Sequence, residues 1–313
     1  AFIFKSNLKK LGIDSFNFTT NNNFSFKLSK KIKISDLKVD SKIDLKNLIY
    51  INNNNFLKKS LSNYNNLIEL RDHKIELSYY KKNLKFKGNG KIMIDNEHDK
   101  INYEFQSNNG KYNFKSQIQL INIPFQLKFL NFSKKKNENS LLEVEGVYNE
   151  NKKFYKLSTF LKENENTFKI SGINLNQNYK INSIDEISLY FINDNKKQNK
   201  VLFQKKGNNY KLYGKLFDGN NLLNSKKDGN FFNIFNNLNS NVEVSFDKIF
   251  IDDVNYLNNL NGNLKFEKNI LNNANLKANL PGNKKIRFTV KTNQNNQKIT
   301  TLFSEYAKPL VRR

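Results

Sequence analysis

The sequence contains no cysteine, no tryptophan, one methionine and only two histidines in 313 residues. The missing cysteine excludes disulfide scaffolds, zinc–thiolate sites, iron–sulfur clusters and cysteine nucleophiles together. With His73 and His98 alone, imidazole catalysis and His-ligated metals have almost nothing to draw on. No G-x-S-x-G, P-loop or G-x-G-x-x-G motif occurs. No run reaches the ~18–20 apolar residues of a membrane helix, and nothing at the N-terminus resembles a signal peptide. The chain starts at Ala1 inside an alternating pattern and stops at Arg313 without a closing turn signal. It reads as a segment of a longer protein, so the lack of targeting signals carries no information about location. These absences lead us to expect no catalytic residues, no metal and no cofactor.

What is present is charge, asparagine and aromatics. The net charge is +25, from 53 Lys+Arg against 28 Asp+Glu. Arginine stands only at 71, 287, 312 and 313, and roughly a fifth of the residues are asparagine. Lys, Asn, Ile, Phe and Tyr share A/T-rich codons, so base composition alone can generate this profile. An anionic membrane surface and nucleic acid are the functional readings of such charge. Nucleic-acid readers favour Arg for bidentate contacts, and the lysines are spread along the chain, so nucleic acid is not the expected partner. Hydrophobic residues make up 37%, yet 27 Phe and 14 Tyr are too many for a disordered chain.

One period dominates, and it is two. Phe24/Phe26/Leu28, Ile75/Leu77/Tyr79, Leu84/Phe86, Ile92/Ile94, Ile101/Tyr103/Phe105, Tyr112/Phe114, Val242/Val244/Phe246 and Ile286/Phe288/Val290 all alternate with polar residues. Such alternation puts the apolar side chains on one sheet face. Gly88-Asn89-Gly90, Asn108-Asn109-Gly110, Gly207-Asn208-Asn209 and Asn261-Gly262-Asn263 read as hairpin connectors. Helical spacing is confined to Asn54–Leu70, Asn220–Leu223, Phe231–Leu238 and a start at Ser304–Lys308 limited by Pro309. Ser133–Asn139 reads as a long hairpin loop. The fold class is therefore mostly β: an antiparallel meander of about sixteen strands, on the order of 75 Å long at ~4.8 Å per strand. Two stretches are expected, 1–140 and 141–313, continuous with each other. Its one apolar face needs a cover. The helices are too few to provide it, and most of the alternating runs are shorter than the ~9–11 residues of a membrane-barrel strand. The sheet must curl upon itself, either packed as a sandwich or open around something apolar.

The site-like clusters have simple structural explanations. Asp95-Asn96-Glu97-His98-Asp99 lacks the glycine and the closing glutamate of a calcium loop and reads as a solvated hairpin. Arg71-Asp72-His73 has no nucleophile to serve. Gly88-Asn89-Gly90 precedes no helix that would cradle phosphate, and Asp252-Asp253 would point to opposite faces of a strand. Asp218 reads as a turn or cap before Leu222-Leu223. The sharpest feature is Ile121-Asn-Ile123-Pro-Phe125-Gln-Leu127-Lys-Phe129, five large apolar residues of one parity, expected as a single strand with a bulge or edge at Pro124. It is either sandwich core or the floor of a groove.

The segment Tyr210-Lys-Leu-Tyr-Gly214-Lys-Leu-Phe217-Asp218, followed by Leu222-Leu223, resembles a stretch of AsmA-like proteins of the YhdP type. So does the ending Thr300-Thr301-Leu302-Phe303-Ser304-Glu305-Tyr306-Ala307-Lys308-Pro309-Leu310, except that Lys308 stands where relatives carry Gly. Gly262-Asn-Leu-Lys-Phe266 and Ala274-Asn-Leu276-Lys-Ala-Asn-Leu280 fit that family's strand repeats. The match covers about residues 141–313; residues 1–140 agree in alternation only. The resemblance implies an elongated, curled, taco-like β-groove that carries phospholipid acyl chains between the inner and outer membranes of Gram-negative bacteria. It further implies a periplasmic location, an inner-membrane anchor outside this segment and outer-membrane components as partners. The groove lining would then be Ile121, Ile123, Phe125, Leu127, Phe129, Phe24, Phe26, Leu28, Ile92, Ile94, Val242, Val244, Phe246, Phe288 and Val290. The competing readings are a β-sandwich scaffold for protein partners and, from the charge, a nucleic-acid binder.

Overall fold

The computed structural model describes residues 12–53, 55–61, 64–221, 235, 237–293 and 297–306. The protein is mostly β, with few short helices. Its strands fall into two compact units. The first comprises residues up to Gln126 together with Ser133–Asn164, the second Leu127–Phe132 together with the chain from Glu165. The strand that starts at Ser140 belongs to the first unit, where it pairs with the strand ending at Leu120.

In the first unit the chain runs through β1 (Ile13–Leu28), β2 (Ile34–Ile51), a one-turn helix α1 (Asn55–Ser60), β3 (Leu67–Tyr80), β4 (Asn83–Ile94), β5 (Glu97–Asn108) and β6 (Lys111–Leu120). Short strands β7 (Phe125–Leu127) and β8 (Phe132–Lys134) flank a 3-10 turn at Lys128–Leu130, with Leu127–Phe132 counted in the second unit, and β9 (Ser140–Asn149) and β10 (Phe154–Glu163) follow in the first. Each of β1 to β6, then β9 and β10, pairs antiparallel with the next. The tight turns at 81–82, 109–110 and 150–153 lie at one end of this meander and the long connections at the other. Asn109 and Gly110, both at positive φ, make the expected hairpin.

The second unit contains β11 (Asn166–Leu175), β12 (Ile181–Ile192), β13 (Gln198–Lys206), β14 (Asn209–Asp218), β15 (Ser240–Phe250), β16 (Tyr256–Glu267), β17 (Ile270–Leu280), β18 (Lys284–Thr292) and β19 (Lys298–Ser304). All neighbours pair antiparallel except β14 and β15, which are parallel. A parallel pair needs a crossover. Of its described residues, Phe235 and Leu238 are buried in one cluster with Ile184, Val201, Tyr210 and Val242, and Phe235 bridges to Ile181. This crossover interrupts the uniform meander expected from the alternation.

Several local expectations are corrected. Within Asn54–Leu70, Asn55–Ser60 is the helical stretch among the described residues. The stretch from Leu67 is strand, because Leu70 pairs with Leu48 on one side and Ile92 on the other. Gly88 and Gly90 lie inside β4 and not in a turn. A Cβ on Gly88 would sit 2.6 Å from the Tyr103 ring and one on Gly90 would collide with the His73 ring, so these glycines make room for rings. Gly262 likewise lies within β16, at φ 147° and so close to the Asn275 carbonyl that no side chain fits. The helical expectations at 220–223 and 231–238 fall largely outside the described residues, as does the chain beyond Tyr306.

The run from Ile121 to Phe129 is not one strand. Residues 121–122 form a bend, and only Phe125–Leu127 is extended before the 3-10 turn. The backbone groups that a ladder would use are taken by side chains. The Asp99 carboxylate accepts the N–H of Asn122 at 3.0 Å and of Ile123 at 2.9 Å. Lys134 Nζ donates to the carbonyls of Ile121 at 2.6 Å and Ile123 at 3.2 Å. Pro124 supplies no N–H at all. Five residues of one parity therefore do not share one face: Ile123 is only 3% exposed, whereas Phe129 is 40% exposed.

Candidate functional site: the apolar face of the first unit

Residues opposite each other in an antiparallel ladder share a face, so the register of the first unit defines rows across it. One row runs Ser41, Leu77, Phe86, Phe105, Phe114, Gly146, Leu157. The row toward the tight turns runs Phe24, Val39, Tyr79, Leu84, Ser107, Tyr112, Tyr148, Tyr155. The rings stack along them: Phe86 on Phe105 at 4.9 Å, Tyr112 on Tyr148 at 5.6 Å, Tyr148 on Tyr155 at 4.4 Å. Offset stacking of this kind adds about 0.5–1.5 kcal/mol per pair beyond area burial. Most of these side chains are half-buried, and Phe114 is exposed. The face is apolar and aromatic without being a closed core.

The opposite end of the face is polar and buried. Ile92, Asp99, Leu120, Ser140 and Glu163 follow one another across β4, β5, β6, β9 and β10. Asp99, Ser140 and Glu163 are all buried. Lys134 is buried there too, and burial pulls its pKa below the usual lysine range while the fields of Asp99, Glu138 and Glu163 hold it up. Asp99, expected in a solvated hairpin, is instead the clamp on the 122–123 backbone. Asp95, in the β4–β5 turn, is pushed up by burial. Among the described residues no group of three or more His, Asp or Glu gathers where it could hold a metal ion.

His73 sits within the face, almost fully buried. Its Nε2 lies 3.0 Å from the Lys91 carbonyl and its Nδ1 3.0 Å from the Tyr103 hydroxyl. A carbonyl only accepts, so Nε2 carries the proton and Tyr103 donates to Nδ1. Burial lowers the His73 pKa and pushes Tyr103 up to about 12. Both rings are locked over Gly90 and Gly88, which makes the pair a fitted part of the sheet. Asp252 is in a turn and not on a strand, with Oδ1 accepting the N–H of Val254 and Asn255. Asp218 does cap a turn, accepting from Asn220 N–H at 3.3 Å, and is also buried against Asn193 Nδ2 at 2.8 Å.

The other face of the same sheet is charged. One row reads Lys42, Glu76, Lys87, Glu104, Lys115, Glu145, alternating in sign at every strand. Lys87 and Glu76 are 2.9 Å apart. Shallow troughs of about 820 and 650 Å³ run along this row. The register sets Lys87 and Lys115 each between two glutamates, and Lys42 between Glu76 and Asn21.

Of the residues expected to line a groove, Phe24, Phe26 and Leu28 are exposed on β1, and Ile92 and Ile94 lie on the apolar face of β4, buried and half-buried. Val242, Val244 and Phe246 are buried in the second unit's core beneath Phe235 and Leu238, so they are packed core and not open lining. Val290 is buried and Phe288 half-buried on β18; Ile121 is exposed, Phe125 and Leu127 half-buried. The central row of Leu77, Phe86, Phe105 and Phe114 was visible as alternation but not as a site, because only the register aligns it.

No protein-family model, curated protein or solved structure matches the chain. No described helix is long and apolar enough to cross a membrane.

Proposed function

We propose that the protein is a non-enzymatic carrier of phospholipid acyl chains, with the apolar face of the first unit as the carrying surface. The observation that supports this is the two adjoining, mostly aromatic and aliphatic rows, one across eight strands and one across seven, broken only at Ser107, Ser41 and Gly146. Transfer of a sixteen-carbon chain from water is worth about 12 kcal/mol at ~0.8 kcal/mol per CH₂, so such a surface needs no polar contact to hold lipid. Successive strands offer similar surfaces every ~4.8 Å, which lets a chain slide. Headgroups would stay in water beyond the tyrosines of the Tyr79–Tyr155 row. In keeping with the resemblance to AsmA-like proteins, the setting is the periplasm, between an inner-membrane anchor and the outer membrane.

The covered core around Val242, Val244 and Phe246 favours a second reading for the second unit, a closed scaffold that meets protein partners. Native mass spectrometry of the purified chain tests the carrier reading. Phospholipid should co-purify, and its absence after gentle extraction would count against it.

A further inference from the structure

The edge strand β1 carries a second kind of site. Among the described residues it pairs with β2 alone, and nearly all of its sixteen residues are exposed. A free edge is a template for another strand, and proteins blunt such edges with charge, proline or bulges. In a chain that is 26% charged, no residue from Ser15 to Phe26 is charged. None is proline either. The irregularities at Asn17/Phe18 and Ser25/Lys27 place their extra residues on β2, which leaves β1 regular from Ser15 onward. Lys27 is held by Asp36 at 2.6 Å, so even the end of the strand is neutralised.

The order of residues specifies the partner. Around Asn21 the strand is palindromic in character: Phe16 mirrors Phe26, Asn17 mirrors Ser25, Phe18 mirrors Phe24, Thr19 mirrors Asn23 and Thr20 mirrors Asn22. Phe16 stacks on Phe18 at 5.5 Å and Phe24 on Phe26 at 6.5 Å, and the four rings are 42%, 43%, 66% and 45% exposed. An antiparallel copy of the same strand, related by a two-fold axis through Asn21, sets Phe16 opposite Phe26 and Phe18 opposite Phe24 on both sides of the axis. Isologous interfaces need this self-complementarity, and opposed aromatic pairs are a main stabiliser of paired strands. We propose that two copies of this chain associate through β1, edge to edge and antiparallel, with the axis at Asn21. This does not rest on the lipid reading.

The absence of native cysteine makes the test clean. In sedimentation velocity at high salt, which screens the repulsion of two +25 chains, the mass should rise with concentration toward twice 36.8 kDa. Asn21→Cys should form an intermolecular disulfide under mild oxidation. Asn17→Cys alone and Ser25→Cys alone should not, because each lies ~27 Å from its own copy at ~3.4 Å per residue. A mixture of the two should crosslink. Phe24→Lys should abolish the dimer while the circular dichroism spectrum stays unchanged. A monomer at all concentrations would overturn the proposal. So would homotypic crosslinking at 17 and 25 as efficient as at 21, or a dimer indifferent to Phe24→Lys.

Discussion

Replacing Lys134 with methionine keeps the length and apolar stem of the side chain and removes its three donors. The Ile123 carbonyl loses the ammonium and the Ile121 carbonyl is left with the Asn137 N–H alone, while the Asp99 carboxylate keeps its place beside them without the ammonium. Hydrogen bonds from a charged group are worth about 1.5–3 kcal/mol each. Part of that loss is recovered, because the buried ammonium no longer pays the desolvation that lowers its pKa. The net cost should be about 2–4 kcal/mol. For a domain of about 150–250 residues each kcal/mol moves Tm by roughly 2–4 °C, so a 3 kcal/mol loss reads as about 6–12 °C. Differential scanning calorimetry of Lys134→Met, Asp99→Asn and the double variant measures it. The two changes should be strongly non-additive, since they release the same backbone stretch, 121–123. A Lys134→Met variant within about 0.5 kcal/mol of the parent, the range of ordinary surface changes, would refute the clamp.

His73 should give the fold an acid-sensitive component. Its folded pKa lies below the unfolded value of 6.5, so between the two the unfolded chain binds more protons and stability falls as pH drops below about 6.5; in urea titrations His73→Gln should show a shallower decline than the parent, and identical slopes would contradict the buried neutral imidazole. Gly90→Ala should destabilise by about 1–3 kcal/mol through its collision with the His73 ring, where an unobstructed strand glycine would gain about 0.5–1 kcal/mol from the same change; chemical denaturation decides the sign. Glu104→Lys sets like charges opposite one another across β4, β5 and β6 and should lower Tm at low salt. The difference should vanish near 1 M salt, where the Debye length is ~3 Å, and a salt-independent drop would mean that the ladder acts through packing.

Alternation made the first unit's strands legible: Leu84 and Phe86, Tyr103 and Phe105, Tyr112 and Phe114 each announce a strand with one apolar face. The partner of each residue was not legible, since register depends on neighbours far along the chain. For that reason Phe86, Phe105 and Phe114 appeared as separate pairs and not as one row. Gly88-Asn89-Gly90 carries the local signature of a turn, yet its glycines answer to rings at 73 and 103 that no window of neighbouring residues contains. The Ile121–Phe129 run has flawless strand parity and still bends, because Asp99 and Lys134 claim its backbone from outside the window. The burial of Val242, Val244 and Phe246 followed their parity, but what covers them is a crossover that alternation does not encode.

The central claim is that lipid lies on the apolar face of the first unit. Glu104 and Phe105 are neighbours in β5 whose side chains point to opposite faces, so a photo-reactive residue at each reports on one face at the same depth of the sheet. Exposed to phospholipid vesicles, position 105 should crosslink to lipid and position 104 should not. Crosslinking at 104 alone, at both equally, or at neither would contradict the account.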